Sequence, residues 1–496
     1  MVESAMRTAI IGGGVAGLAA AYEIEKARAA GAPVDYILYE AGPRLGGVLA
    51  SQIVNGAVLE LGPDSFLSEK PAAAELCREL GLGGDLIASN DANRKTYIVV
   101  RNRLVPLPDG LMFLVPTKLV PTAMTRLFSP LTKARMGLEL LRPPRKSGKE
   151  DESVAELVGR HYGAEAVDRL ADPLLSGIFG GDATQLSART VLPRLVEMES
   201  EYGSLTRGML AAHRKMRAKM KAAAGSSSAA QKTASGPRGT FTTLRGGLQQ
   251  LVDALEAKID PASVRLSTAV TGLAKTRDGW RVDSAAGTWS YDSVIVATSA
   301  WIAGGALRLA DVELSEELGA IPYSSSITVN LIYDEAKLGE LPEGFGFLVP
   351  ASEGRTMLAC TFAHRKFLGR TPPGKAVLRA FLGGMKHEAL LGEDDDALTA
   401  TVRRELGEIL KGTGLARGVE PEYTRVSRWR RAMAQYAVGH QRRKQRIAQL
   451  VAQLDGLKLA GNAYDGIGIS DCIRLGQQAA RELTAASGVR PDAQPA

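Results

Sequence analysis

Cysteine, histidine and long apolar runs are all scarce in this chain, and each scarcity closes off a class of function. The 496 residues include three cysteines, Cys77, Cys360 and Cys472. They lie far apart and lack the close pairs of a metal ribbon or a disulfide framework. An odd number of isolated thiols predicts reduced cysteines and a cytoplasmic protein. The five histidines, His161, His213, His364, His387 and His440, show no ligand spacing, so no metal site is expected. The most apolar stretch, 111–124, is interrupted by Pro116, Lys118 and Pro121 and cannot span a bilayer, which leaves peripheral membrane contact at most. The opening MVESAMRT enters an apolar strand almost at once, so no signal peptide is expected. Aromatics are only 5% of the chain, and none interleaves with the charges of the basic tract 213–238, so no nucleic-acid partner is expected. That tract, rich in Ala, Ser, Gly and Lys, reads as a solvated, flexible insertion. Lys plus Arg outnumber Asp plus Glu by 61 to 54, a net charge of +7, which suits an acidic small-molecule substrate.

Glycine, by contrast, is plentiful, and its first cluster carries the most information. Ala9-Ile10-Ile11 runs into Gly12-Gly13-Gly14-Val15-Ala16-Gly17 and then into a helix-forming Leu-Ala run. This is a strand, a G-x-G-x-x-G turn and a helix start. Gly12 permits the tight turn, Gly14 lets a pyrophosphate approach the backbone, and Gly17 lets helix and strand pack closely. The helix N-terminus offers unpaired N–H groups to the phosphates. The second strand, Tyr36 to Tyr39, ends in Glu40, an acid placed for ribose hydroxyls. Ala41, Arg44 and the Gly46-Gly47 doublet follow, then Gly62-Pro63-Asp64-Ser65. A second Gly-rich segment so soon after the ribose acid is superfluous for a nicotinamide cofactor but suits an elongated, permanently bound FAD, with Arg44 neutralising diphosphate.

The composition changes along the chain. Residues 71–106 read as a helix followed by a hairpin across Asn102, 107–220 as a helical domain with a capping box from Ser153 to Glu156, and 221–238 as a flexible linker. The α/β pattern resumes at 239–300, where Ser293 to Val296 is a fully apolar strand expected of a parallel sheet. Residues 301–435 read as a mixed sheet with helices. In 436–490 a last strand, Leu457 to Leu459, leads through Gly466-Ile467-Gly468-Ile469 into a helix whose N-terminus can stabilise charge on a reduced flavin. The fold class is therefore α/β: a discontinuous Rossmann-like FAD domain (1–70, 239–300, 436–490), a mixed-sheet substrate domain (71–106, 301–435) and the helical domain. Lys70, beside the Gly-Pro turn, is a candidate point-charge contact for substrate. Gly344, Phe345, Gly346 and Phe347 are candidates for a pocket wall that a flat ligand could approach closely.

Together GGGVAG, YEAGPRLGG, LELGPDSFLSEK, DPLLSGIFGGD, FTTLRGGLQQL, SRWRRAMAQYAVGH and LAGNAYDGIGISDCIRLGQQAA resemble the protoporphyrinogen/coproporphyrinogen oxidase family of haem biosynthesis, flavoenzymes of the monoamine-oxidase type. The resemblance runs over nearly the whole chain. It implies FAD contacts at Gly12, Gly13, Gly14, Val15, Ala16, Gly17, Glu40, Ala41, Arg44 and Gly47, and a flavin beside Gly62, Pro63, Asp64 and Ser65. It also implies an adenine contact at Val270 and packing of Trp429, Ile467, Gly468 and Ile469 on the ring system. The implied reaction removes six electrons from a porphyrinogen in three hydride-transfer steps, with O2 as acceptor and H2O2 as product. It needs no catalytic triad, because the flavin supplies the chemistry. Transient contact with the next haem-pathway enzyme is a further implication.

Thr96, where the protoporphyrinogen branch carries arginine, together with Lys70, VPTKLVP and LACTF, is similar to the coproporphyrinogen III branch of Gram-positive type. Asn462, Tyr464 and Arg474 are closer to bacterial protoporphyrinogen enzymes. A flavin amine oxidase or desaturase, and a non-catalytic flavin-bearing porphyrin carrier, are the competing readings.

Overall fold

The computed structural model describes residues 5–112, 114–144, 151–226 and 239–486. Its central sheet is five-stranded and wholly parallel, in the order Val264–Arg265, Val34–Tyr39, Met6–Ile11, Ser293–Val296, Leu457–Leu459. Ala9, Ile10, Val294 and Ile295 are fully buried, as strands covered on both faces must be. Helices Val15–Ala29 and Ile469–Ala486 pack together on one face. A methyl group added at Gly476 would lie 2.0 Å from the Ala16 carbonyl oxygen, so this glycine sets how closely the first and last helices approach. The other face is covered by the antiparallel strands Val270–Thr276, Gly279–Ser284 and Gly287–Tyr291, with Trp280 fully buried, and by helix Ala300–Leu307.

The second large sheet has seven strands: Tyr423–Ala434, Tyr323–Asp334, Lys375–Gly383, Ala359–Phe362, Gly346–Leu348, Thr96–Val100 and Arg103–Pro106. Each neighbouring pair is antiparallel except Gly346–Leu348 with Thr96–Val100. Helix Asp395–Ile409 buries Leu398, Val402, Leu406 and Ile409, a stripe at helical spacing, in the core of this sheet. Ile332 and Val377 instead meet Ala57 and Leu59 of the hairpin Ser51–Val54/Ala57–Glu60. The sheet is thereby joined to the segment that follows the glycine turn.

The helical unit includes Pro130–Leu138, Val154–Tyr162, Asp172–Phe179, Pro193–Tyr202 and Leu205–Ser226. Ser153 and Glu156 form the expected capping box. Two details differ from the sequence reading. Short strands Leu111–Met112 and Val115–Pro116 pair within the region read as helical. Helix Leu205–Ser226 also runs on through the first part of the basic tract and through 221–226 of the expected linker. Alanine, lysine, arginine and methionine there are strong helix formers, and their propensity outweighs the low apolar content. Residues 227–238 lie outside the described ones.

Inside this unit His161 is fully buried, with Nδ1 2.8 Å from Glu139 and Nε2 3.0 Å from Glu199. Glu139 also accepts from the Ser204 hydroxyl and the Leu205 N–H, closing the start of the Leu205–Ser226 helix. Arg160 joins Glu199 to Glu152. Burial opposes protonation of His161, but the two carboxylates outweigh it and raise its pKa. Cys77, Cys360 and Cys472 are free and buried, and burial pushes each thiol up to about 12. Among the described residues no group of histidine, cysteine and acidic side chains could hold a metal, and no helix is long and apolar enough to cross a membrane.

Candidate flavin and substrate site

Each glycine of the turn has its own surroundings. Gly12 has φ +105°, where a side chain would meet the Ala297 carbonyl. A Cβ at Gly17 would sit 1.9 Å from the Gly12 carbonyl oxygen, while one at Gly14 would meet nothing within 4 Å. Gly17 is therefore required by packing, and Gly14 faces open space. Helix Val15–Ala29 has no side-chain cap and no acid in its first turn, so its N–H groups are left for an outside anion. Val15 and Ala16 form that first turn. This open, uncapped cradle fits a dinucleotide pyrophosphate.

Glu40 leaves the end of its strand and accepts from the Gly13 N–H and the Gly42 N–H, each at 2.7 Å. Its carbonyl accepts from Thr268, and that of Gly42 from Ser267. This brings the chain leading to Val270 against the Glu40–Ala41 turn. Gly46 donates to the Gly13 carbonyl, laying the second Gly-rich segment on the first. Arg44 donates to the carbonyls of Leu45, Gly47 and Leu49. In this structure it braces its own loop.

The Gly62–Ser65 turn is held from the second sheet, almost atom by atom. The Glu60 carbonyl accepts from Asn330 at 3.0 Å, and the Leu61 carbonyl from Thr328 at 2.9 Å and the Trp429 indole at 2.7 Å. The Gly62 carbonyl accepts from Arg379 and the Asp64 carbonyl from Thr243. The Asp64 carboxylate takes two hydrogen bonds from Lys366, at 2.8 and 3.0 Å. Burial opposes ionisation of Asp64, but Lys366 and Arg379 hold its pKa well below the usual carboxylate range. Glu60, 4% exposed, pairs with Arg370, 6% exposed, and also accepts from Ser51 and the Leu248 N–H. Pro63 is half-buried in the turn, and a methyl group at Gly62 would lie 1.8 Å from the Val48 carbonyl oxygen.

At the far side Ile467, Gly468 and Ile469 open the last helix. Lys70 is anchored there: its ammonium lies 2.6 Å from Asp471, and its carbonyl accepts from Ser470. Tyr436 accepts from the Gly466 N–H and donates to the Asn462 carbonyl. The SGIFGGD segment reaches the same place, its Phe179 carbonyl accepting from Gln435 at 2.7 Å and Ser324 at 3.1 Å. Gln435 Oε1 and the Tyr464 hydroxyl are buried without a protein partner.

One group of expected residues lies elsewhere. Phe347 packs edge-on against Phe362 in the core of the second sheet, 1% exposed, and Phe345 is also buried. Methyl groups at Gly344 and Gly346 would strike the carbonyls of Lys95 (2.3 Å) and Cys360 (2.0 Å). These glycines admit neighbouring strands, not a flat ligand, so Gly344–Phe347 is strand core and not a pocket wall. The sequence reading also missed Thr328, Asn330, Arg370 and Arg379. A signal existed: Thr328 and Asn330 alternate with Ile327, Val329 and Leu331, placing polar groups on one face of an otherwise apolar strand.

This architecture is that of a flavin oxidoreductase, and the chain belongs to the family of flavin containing amine oxidoreductases, matched over residues 15–484. It is 33% identical over 482 residues to the coproporphyrinogen III oxidase of Bacillus subtilis, covering 97% of this chain and 98% of that one. It is 31% identical to human protoporphyrinogen oxidase, over 95% of this chain and 97% of that one. A solved structure from Exiguobacterium sp. 255-15, provisionally named a protoporphyrinogen oxidase, superposes with a TM-score of 0.83 at 30% identity, covering 97% and 99% of the two chains.

Proposed function

We propose that the chain binds FAD and oxidises coproporphyrinogen III to coproporphyrin III, with O2 as acceptor and H2O2 released. The observation that carries this reading is full-length similarity to the Bacillus subtilis coproporphyrinogen III oxidase, joined to an open Gly14 cradle facing an uncapped helix. When bound, the flavin supplies hydride acceptance; everything else falls to the protein. The backbone of Gly12 to Gly17 and the N–H groups of Val15 and Ala16 would hold the pyrophosphate, with Glu40 at the ribose and the Val270 backbone at the adenine. Gly62 to Ser65, Trp429 and Ile467 to Ile469 would bound the ring system. The network around Glu60 and Asp64 fixes their spacing, and orientation of this kind is the main protein contribution in cofactor enzymes. Lys70, already paired with Asp471, is our candidate for attracting a propionate at the rim. The three buried thiols support a cytoplasmic setting.

Protoporphyrinogen IX is the second reading, favoured by the human relative. Fluorescence of the porphyrin formed from each porphyrinogen under identical conditions separates them. Higher efficiency with coproporphyrinogen is expected, and the reverse result would transfer the assignment. Anaerobic bleaching of the bound chromophore by substrate distinguishes an enzyme from a carrier.

A further inference from the structure

The buried charges behind the Gly62–Ser65 turn do not balance. Lys366, Arg370 and Arg379 oppose only Glu60 and Asp64, leaving one surplus positive charge in this cluster. Arg370 and Arg379 are 6% and 3% exposed, and Lys366 has only 12% of its side chain exposed, so solvent screens the surplus poorly. Both guanidinium groups keep a buried Nε–H without a protein partner, and both line a cavity of about 20 Å3 with Glu60, Asp64 and Asn330. His364 nearby is half-buried and accepts the Val377 N–H, and desolvation lowers its pKa, which disfavours a further positive charge there. Arg365 spends its guanidinium on the carbonyls of Leu341 and Pro342. Arg379 touches the turn itself through the Gly62 carbonyl and lies with its guanidinium carbon 4.8 Å from the centre of the Phe381 ring.

A fixed cation behind a redox group stabilises whichever state carries more negative charge, and a flavin gains negative charge on reduction. We propose that Arg379, with Lys366 and Arg370, acts as a positioning and electrostatic unit that raises the reduction potential of a flavin held at the Leu61–Ser65 segment. The inference rests on the flavin reading above and concerns a property that family membership alone does not assign. The unit acts through the backbone of the turn and through space; none of its members transfers a proton or an electron.

The test is the potential of the bound chromophore, read by equilibration with a reference dye and without any porphyrinogen. Arg379→Gln and Lys366→Met each remove a positive charge and should shift the oxidised-to-reduced ratio at least tenfold toward the oxidised form, about 30 mV for a two-electron couple. Asp64→Asn removes a negative charge and should shift the ratio the other way. Scaffold damage alone has no reason to reverse sign with the sign of the deleted charge. Lys366 lies nearest the solvent of the three, so Lys366→Met and Asp64→Asn decide the matter if Arg379→Gln does not fold. Opposite shifts support the proposal, and any other pattern in flavin-loaded proteins overturns it. A parent protein that takes up no flavin at all sinks the flavin reading, and this inference with it.

Discussion

The two ends of the site are built in different ways. The glycine-turn end is local and made of backbone: Gly12, Gly14 and Gly17 lie within six consecutive residues, and their task is to have no side chains. The Gly62–Ser65 end is remote and made of side chains: Asn330, Thr328, Trp429, Arg379 and Lys366 reach the turn from more than 170 positions away. The first end tolerates no added bulk at its packing contacts. The second tolerates no lost partner, because its polar groups are mostly buried, and an unpaired buried group is costly.

Substitutions can break that contrast. The largest effect is expected from Gly17→Ala, whose methyl group would meet the Gly12 carbonyl at 1.9 Å and force helix and strand apart. A loss of about 3 kcal/mol or more, or failure to fold, should appear in urea melts. Gly14→Ala should fold like the parent, since nothing lies within 4 Å of the new atom, and lose chromophore instead. If both variants are equally stable, the packing role of Gly17 is wrong. Next comes Arg370→Met, which leaves Glu60 buried without its cation; breaking such a pair costs about 3–5 kcal/mol. A loss below about 1 kcal/mol would mean that solvent reaches Glu60.

The helical unit provides a control away from both ends. The pKa of His161 is raised on folding, so its stabilisation is complete below the unfolded value of about 6.5 and is lost as pH rises through the higher folded value. The melting temperature should therefore fall on raising the pH from 6 to 9, and this part of the slope should vanish in His161→Gln. An unchanged slope in that variant would show that another group is responsible. Glu199, held down to about 2 by His161 and Arg160 against the cost of burial, works at the other extreme, its contribution disappearing as pH drops from about 4.5 toward 2. The smallest effect is expected for Lys70→Ala. Its side chain is 42% exposed, so loss of the Asp471 pair should cost only about 0.5 kcal/mol in stability and shrink further at high salt. Turnover of a propionate substrate should fall several-fold, and a loss of a hundredfold or more would point to a direct role in the chemistry.

The same contrast explains what could be read without coordinates. The glycine turn, Glu40 and the buried strand Ser293–Val296 announce themselves through neighbours in sequence, as does the capping box at Ser153. The clamp on residues 60–64 depends on which strands lie side by side, and nothing within ten residues of Arg379 says that it will meet Gly62. Gly344 and Gly346 misled for a related reason. A glycine states that something comes close, but not whether that something is a ligand or the next strand; here it is Lys95 and Cys360. The length of the Leu205–Ser226 helix was hidden by composition, since a polar, alanine-rich tract suits solvent and helix equally well.

The central sheet ends in Leu457–Leu459, and the helix packed on Val15–Ala29 begins only at Ile469. A chain emerging from the ribosome therefore makes its glycine turn first and must wait for residues 457–486 before the sheet and the helix layer around that turn are complete. Until then Ser293–Val296 presents an unpaired apolar edge, the kind of surface that recruits other chains. Pairings across such long separations also form slowly. Folding should thus hinge on residues 457–486: truncation before Leu457 should yield aggregated protein and not a smaller folded one.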